Sequence, residues 1–203
     1  MNYFITGIGT NIGKTIVSAI LTEALEADYW KPVQAGDLEN SDTNKVKNLV
    51  SNQKSVFHKE AYCLTQPMSP HAAAKMDGIE INLNEIKPPT TNNKLIIEGA
   101  GGLMVPLNDK DLIIDLIEKI PAEVILVSQN YLGSINHTLL SIESLQARNI
   151  NIKGIIFNGE ENTDSEEFIL SHTKVNCLGR IKQHTVINKE VALSYKNHFQ
   201  SLL

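Results

Sequence analysis

Gly7-Ile8-Gly9-Thr10-Asn11-Ile12-Gly13-Lys14-Thr15 decides the fold, because it lies between an apolar segment, Tyr3-Phe4-Ile5, and a run with helical spacing, 16–25. Small residues let successive backbone N–H groups turn towards a bound anion, and a helix that starts near Gly13 adds its positive N-terminus. In such a loop the lysine contacts the terminal phosphates and the next hydroxyl binds Mg²⁺. The pattern predicts a strand, a phosphate-binding loop and a helix, and it indicates a nucleotide without indicating a reaction.

The loop departs from the usual spacing at one position. A P-loop normally has a glycine five residues before the glycine of Gly-Lys-Thr, and Ile8 stands there. The outer glycine is Gly7, so this loop is one residue longer. A glycine-rich hairpin that contains Gly-Lys-Thr by chance is the alternative, and the strand and helix that flank the loop argue against it.

Composition restricts the class of protein. The chain has 203 residues, 42% of them hydrophobic and 20% charged, which suits a single domain, 1–203, with a sizeable core. Its formal charge of -5 argues against nucleic-acid binding. Because no long apolar run occurs, we expect a cytoplasmic protein without membrane contact. Cys63 and Cys177 lack a His/Cys cluster, so we expect buried or partly buried thiols.

Strand-like and helix-like segments alternate along the rest of the chain. Strands are predicted at 29–34, 94–97, 122–128, 152–159 and 175–181, and helices at 42–50, 111–118, 133–148 and 188–203. The segment 37–93 is the least regular. Alternation with short links predicts an α/β fold: a single P-loop nucleotide-hydrolase-type domain with a mostly parallel sheet and helices on both faces.

Three charged residues lie at or beyond predicted strands. Lys31 lies towards the end of an inner strand, where it is expected to face the same crevice as Lys14, although a surface lysine is the alternative. Asp42 either caps a helix or binds a cation. Glu98 follows a buried strand and precedes a glycine-rich turn, which favours a Mg²⁺ ligand over a surface glutamate.

Two polar positions further along the chain are candidates for binding. The helix that opens at 133–136, with Ser134 or Asn136 as its cap, offers an N-terminus to a carboxylate or phosphate. Asn158 ends a strand and either presents its amide to a base or serves as a turn residue before Gly159.

Four blocks in one order carry a resemblance to a known family. They are Thr6-Gly7 through Lys14-Thr15, Lys31-Pro32-Val33 with Gly36, Glu98-Gly99-Ala100-Gly101-Gly102, and Leu132-Gly133-Ser134-Ile135-Asn136-His137. Together they resemble the dethiobiotin synthetase family over the range from Tyr3 to about Ile181, including the longer glycine spacing. The resemblance implies a homodimeric ligase of biotin biosynthesis. It would convert 7,8-diaminopelargonate, CO₂ or bicarbonate, and ATP into dethiobiotin, ADP and phosphate, through a carbamate and a carbamic-phosphoric anhydride.

The resemblance also implies roles for individual residues. Lys31, Lys14 and Thr10 would be catalytic, and Thr15, Asp42 and Glu98 would hold Mg²⁺. Residues implied in nucleotide or Mg²⁺ binding are Asn11, Ile12, Gly13, Lys14, Thr15, Ile16, Asp42, Glu98, Gly99, Ala100, Gly101, Asn158, Lys182, Gln183 and His184. Substrate would be bound by Lys31, Ala35, Gly133, Ser134, Ile135 and Asn136, the last four from the neighbouring subunit.

The sequence departs from that family at several positions, and an alternative class remains. Asn11 stands where many relatives carry Glu, Ala35 stands where Ser or Thr is usual, and Lys182-Gln183-His184 replace a Pro-containing base-contacting loop. The alternative is a dimeric partitioning-type switch ATPase. Those proteins carry a second lysine four residues before the glycine of Gly-Lys-Thr, where this chain has Gly9.

Overall fold

The computed structural model describes residues 2–203 and consists of parallel strands with helices on either side of them. The strands are β1 (Tyr3–Gly7), β2 (Asp28–Trp30), β3 (Val33–Ala35), β4 (Phe57–His58), β5 (Tyr62–Leu64), β6 (Leu95–Glu98), β7 (Glu123–Gln129), β8 (Ile152–Asn158) and β9 (Cys177–Ile181). The α-helices are α1 (Lys14–Leu25), α2 (Asp42–Leu49), α3 (Pro70–Met76), α4 (Ile113–Lys119), α5 (Ser134–Ala147), α6 (Thr163–Thr173), α7 (Lys189–Ser194) and α8 (Lys196–Leu202).

A seven-stranded sheet runs in the order β4-β2-β6-β1-β7-β8-β9, and all its pairings are parallel. The central strand β1 is buried along its whole length. Tyr3 and Ile5 belong to one hydrophobic core and Phe4 to another, as the alternation of side chains across a strand requires. A near-continuous apolar strand is typical of a parallel sheet that is covered on both faces.

The helices cover both faces. Helices α1, α7 and α8 contribute to the core that contains Ile5, and α3 and α4 contribute to the core that contains Phe4. The predicted α/β fold with a parallel sheet is therefore confirmed. No helix within residues 2–203 has the length and apolar character needed to span a bilayer.

Two predicted elements are each divided in the structure. The strand predicted at 29–34 is two strands in different sheets, β2 in the large sheet and β3 in a parallel pair with β5. Pro32 lies between them and lacks the N–H that a continuous ladder needs. The closing helix is likewise divided into α7 and α8 at Tyr195, whose hydroxyl accepts a hydrogen bond from the Lys182 N–H.

Other predictions are corrected in detail. Helix α6 was not predicted, because Glu166 and Ile169 are its buried residues and so few apolar positions give a weak pattern. Helix α3 lies entirely within the segment 37–93, which was expected to be irregular. Cys63 and Cys177 are exposed rather than buried. They lie on β5 and β9, which are edge strands of the two sheets.

Candidate active site

The anion-binding loop occupies residues 8–13, between the end of β1 and the start of α1. Gly13 caps α1 with φ 91° and provides no side-chain hydrogen bond to the helix. A Cβ at Gly13 would lie 2.2 Å from Asn158 Nδ2, so both space and backbone conformation require glycine. The N–H groups of the first helical turn are left for a ligand. The chance-hairpin alternative is wrong.

Asn158, at the end of β8, contacts the loop directly. Its Nδ2 donates a hydrogen bond to the Ile12 carbonyl oxygen at 3.0 Å. The amide therefore helps to hold the loop in its conformation, and its contact with a base stays a prediction. The side chains of Ile12 and Ile16 pack in the hydrophobic core, which leaves only their backbone atoms for a phosphate.

Lys14 is buried at the loop. Its Nζ donates to the Gly9 carbonyl oxygen at 2.7 Å. Burial, together with the nearby Lys31 ammonium, lowers the Lys14 pKa to about 8, although Glu98 and Asp42 act in the opposite direction. An anionic ligand beside Lys14 would stabilise its charged form.

Lys31, Asp42 and Glu98 are brought together at the carboxyl edge of the sheet. Lys31 Nζ lies 2.7 Å from Asp42 Oδ2 and 3.0 Å from Glu98 Oε1, and it donates to the Gly99 carbonyl oxygen at 3.1 Å. Lys31 is 4% exposed and Glu98 is 1% exposed, so neither is the surface residue considered as an alternative. Ser41, rather than Asp42, caps α2, and Asp42 occupies the first helical position.

The charges in this cluster stabilise one another. Burial favours neutral Lys31, but the Glu98 and Asp42 carboxylates outweigh it and raise the Lys31 pKa. Burial disfavours ionised Asp42, but the Lys31 ammonium and the other donors around Asp42 outweigh it and lower the Asp42 pKa. Both shifts favour the charged forms of Lys31 and Asp42.

The oxygen atoms around this cluster suit Mg²⁺. Thr15 Oγ1 donates to Glu98 Oε1 at 2.9 Å, and Asp42 is joined to Glu98 through Lys31. Hydroxyl and carboxylate oxygens are the hard ligands that Mg²⁺ prefers, and Mg²⁺ usually completes its octahedron with water and phosphate oxygens. Within residues 2–203 no group of three or more His, Cys, Asp or Glu side chains forms a metal cage. A shared metal–phosphate site fits this donor set better than a metal bound by protein alone.

A cavity of about 520 Å³ opens beside the cluster. Its lining includes Thr10, Asn11, Lys31, Ala35, Asp42, Ala100 and Gly101. Pro67, Met68 and Val105 add apolar surface. The cavity thus has a charged end, where Lys31 and Lys45 lie with Asp37 and Asp42, and an apolar wall.

Other predicted site residues lie elsewhere. Helix α5 begins after β7 and is capped by Gly133 at φ 102°, without the Ser134 or Asn136 cap that was expected. The residues 133–136 are not part of the 520 Å³ cavity. The segment 182–184 follows β9, and Tyr195 holds it through its hydroxyl, which contacts His184 Nε2 at 2.8 Å.

Two buried residues at the cluster were not predicted. The Tyr29 hydroxyl donates to Glu98 Oε2 at 2.9 Å, and Gln34 Oε1 accepts from the Asp42 backbone N–H at 3.1 Å. Burial, with the Glu98 carboxylate, raises the Tyr29 pKa well above its usual value. In the sequence, Tyr29 looks like any aromatic residue of a core strand, so no local signal identifies it.

Together the fold and the site have the geometry of a P-loop nucleotide-binding protein. Solved structures with this fold include the septum site-determining protein MinD of Pyrococcus horikoshii OT3 complexed with Mg-ADP, at a TM-score of 0.59 and 17% identity, with coverage of 100% of this chain and 93% of that chain. A ParA family ATPase from Chlorobium tepidum has a TM-score of 0.58 and 12% identity, with coverage of 98% and 92%. At these identities the likeness shows the fold alone.

Sequence comparison gives a closer relationship. A family model described as AAA domain matches residues 1–191. The ATP-dependent dethiobiotin synthetase BioD of Christiangramia forsetii is 58% identical over 202 residues, covering 100% of this chain and 97% of that protein. The protein of the same name from Cytophaga hutchinsonii is 57% identical over 194 residues, covering 95% and 94%. The chain belongs to the ATP-dependent dethiobiotin synthetase family.

Proposed function

We propose that the protein is an ATP-dependent ligase of biotin biosynthesis that closes the cyclic urea of dethiobiotin from 7,8-diaminopelargonate and CO₂. The observation that carries this proposal is the position of Lys31. Its buried ammonium is bonded to Asp42 and Glu98, close enough to Lys14 to lower the pKa of that lysine, and it lines a cavity with an aliphatic wall. A cation between a phosphate loop and a cavity suits a reaction that joins two anions.

ATP is the co-substrate in this proposal. The backbone of 11–16 would surround the phosphates, and Lys14 would contact the terminal ones. The residues 99–101 continue the site, because Ala100 and Gly101 line the cavity beside the loop. Asn158 and the segment 182–184 lie at the ends of the neighbouring strands β8 and β9, which makes them the candidates for the base.

Thr15, Asp42 and Glu98 are the proposed Mg²⁺ ligands. When bound, Mg²⁺ supplies positive charge that neutralises phosphoryl oxygens. Thr15 lies in the first turn of α1, and Glu98 ends the strand next to β1, so their side chains converge from two rigid elements. This arrangement fixes the donors before a ligand arrives.

The chemistry then follows from the charges. One amine of the substrate adds to CO₂ and gives a carbamate, whose negative charge Lys31 would balance. A carbamate oxygen attacks the γ-phosphorus of ATP, ADP leaves, and an anhydride forms. Thr10 and Lys14 would contact the transferred group, which stabilises the charge on its oxygens. The second amine attacks the carbamyl carbon, the ring closes, and phosphate leaves with the carbamate oxygen.

We further propose a homodimer, in which the residues 133–136 bind the substrate carboxylate of the neighbouring subunit. The start of α5 has no side-chain cap. The Ser134 N–H donates to the Tyr131 carbonyl oxygen at 2.9 Å, which leaves the N–H groups of Ile135 and Asn136 for an anion. Exposed apolar side chains lie around it: Leu132 is fully exposed, and Met104 and Leu140 line one groove. Sedimentation equilibrium should give twice the chain mass, and a monomer that turns over normally would exclude the shared site.

The test of the function is a product assay. Purified protein with diaminopelargonate, labelled bicarbonate and MgATP should place the label in an acid-stable product with the mass of dethiobiotin, and omission of ATP or of the diamine should abolish it. Folded protein that hydrolyses ATP without forming this product would instead favour a switch ATPase.

A further inference from the structure

Glu98 has different partners on its two carboxylate oxygens. Oε1 receives the Thr15 hydroxyl at 2.9 Å and the Lys31 ammonium at 3.0 Å, whereas Oε2 receives the Tyr29 hydroxyl at 2.9 Å. Oε1 thus belongs to the proposed metal site, and Oε2 is held by a residue of the hydrophobic core. Tyr29 and Glu98 are both buried, so this contact is shielded from solvent.

Tyr29 is itself rigidly placed. It is the middle residue of β2 and lies opposite Ile96 of β6 in the parallel register. Its ring packs in the hydrophobic core, with the Phe57 ring 6.2 Å away between centroids. A side chain held in this way presents its hydroxyl at a fixed point.

We propose that Tyr29 is a positioning residue that fixes Glu98 for divalent-cation binding. The hydrogen bond from Tyr29 to Oε2 prevents the carboxylate from rotating. Oε1 therefore stays directed at Thr15. The inference rests on the proposed role of Glu98 as a Mg²⁺ ligand. Partners of this kind behind a metal ligand commonly contribute about 10-fold or more to metal affinity.

The chain offers a matched pair of variants. Tyr29→Phe and Tyr3→Phe each remove one hydroxyl from a fully buried ring in the same sheet. The Tyr3 hydroxyl donates at 3.0 Å to the Leu203 carbonyl oxygen, away from the Glu98 cluster. The readout is Mn²⁺ binding to the protein–ADP complex by electron paramagnetic resonance, which needs no turnover, below the melting temperature of each variant.

We expect Tyr29→Phe to weaken Mn²⁺ binding by about 10-fold and to raise the Mg²⁺ concentration needed for half-maximal rate, while Tyr3→Phe stays within about twofold of wild type. Equal Mn²⁺ affinities in the two variants would overturn the role of Tyr29. So would a loss of thermal stability in Tyr29→Phe with no change in Mn²⁺ affinity.

Glu98→Gln separates this inference from the proposed function. If Glu98→Gln leaves Mn²⁺ affinity unchanged, Glu98 is not a metal ligand and the site proposal fails. If Glu98→Gln weakens binding and Tyr29→Phe does not, only the role of Tyr29 fails. In the Glu98→Gln background, Tyr29→Phe should have no further effect on Mn²⁺ affinity, because both act through one carboxylate. Additive losses would contradict the proposed coupling.

Discussion

Asp28 and Glu98 are two buried carboxylates at opposite ends of the neighbouring strands β2 and β6. Asp28, at the amino edge, receives the Val56 N–H at 3.0 Å and the Thr91 hydroxyl at 2.7 Å, and it also contacts side chains of His58 and Asn93. Glu98, at the carboxyl edge, receives an ammonium and two hydroxyl groups beside an open cavity. One carboxylate ties loops together and the other belongs to a charged site.

The two carboxylates differ in whether their hydrogen-bond partners can also bind a ligand. The partners of Asp28 come from the segments 56–58 and 91–93, which Asp28 joins to the start of β2. The partners of Glu98 include Lys31 and Thr15, which a phosphate or a metal can also engage. Stability should therefore depend most on the amino edge, and turnover on the carboxyl edge.

Lys31→Gln is expected to have the largest effect. Loss of the positioned cation should lower turnover by about 100-fold or more, because that charge stabilises an anionic transition state. Lys153→Gln removes a lysine that pairs with Glu123 at the amino edge and serves as the control, with turnover near wild type. The measurement is the rate of cyclic-urea formation. Near-normal turnover in folded Lys31→Gln would show that Lys31 has no part in catalysis.

Asp28→Asn is expected to reverse that pattern. An amide cannot accept from every donor that now meets the carboxylate, so the free energy of unfolding should fall by about 2 kcal/mol. Guanidinium unfolding measures this loss, and Asp109→Asn, at an exposed loop position, is the control. Turnover below the melting temperature should stay close to wild type. A large loss of turnover with little loss of stability would make Asp28 part of the site.

Asp28 should also affect the pH dependence of stability, although less than its substitution affects the free energy of unfolding. Burial raises the pKa of Asp28, but the hydrogen bonds from Thr91, Val56, His58 and Asn93 outweigh it, so the folded-state pKa is lowered. The unfolded chain then binds more protons, and this contribution is present above the unfolded pKa of about 4 and is lost as pH falls through the lower folded value.

Unfolding free energies measured from about pH 6 to pH 3 should therefore fall less steeply in Asp28→Asn than in wild type. Parallel profiles in the two proteins would show that the Asp28 hydrogen bonds do not favour its ionised form.

Patterns of adjacent residues predicted those parts of the molecule whose structure depends on neighbours in the chain. The loop 7–15 contains its own strand end, glycine cap and lysine, so its structure followed from adjacent residues. Lys31, Asp42 and Glu98 were identifiable because each lies at or just beyond an element boundary at the carboxyl edge.

Tertiary contacts account for what the sequence did not reveal. Tyr29 acquires its position beside Glu98 only when β2 pairs with β6. Helix α6 buries few residues, so its pattern is weak. The division at Pro32 was readable in principle, since a proline inside a predicted strand disfavours a continuous ladder.

The most direct test of the proposed chemistry follows oxygen from CO₂ into phosphate. With CO₂ labelled by heavy oxygen, and a quench before the label exchanges with water, each phosphate released during ring closure should carry one labelled oxygen, because ATP phosphorylates the carbamate. The cyclic urea should retain the other. Unlabelled phosphate formed together with a labelled urea would contradict the account, since ATP would then be cleaved without activating the carbamate.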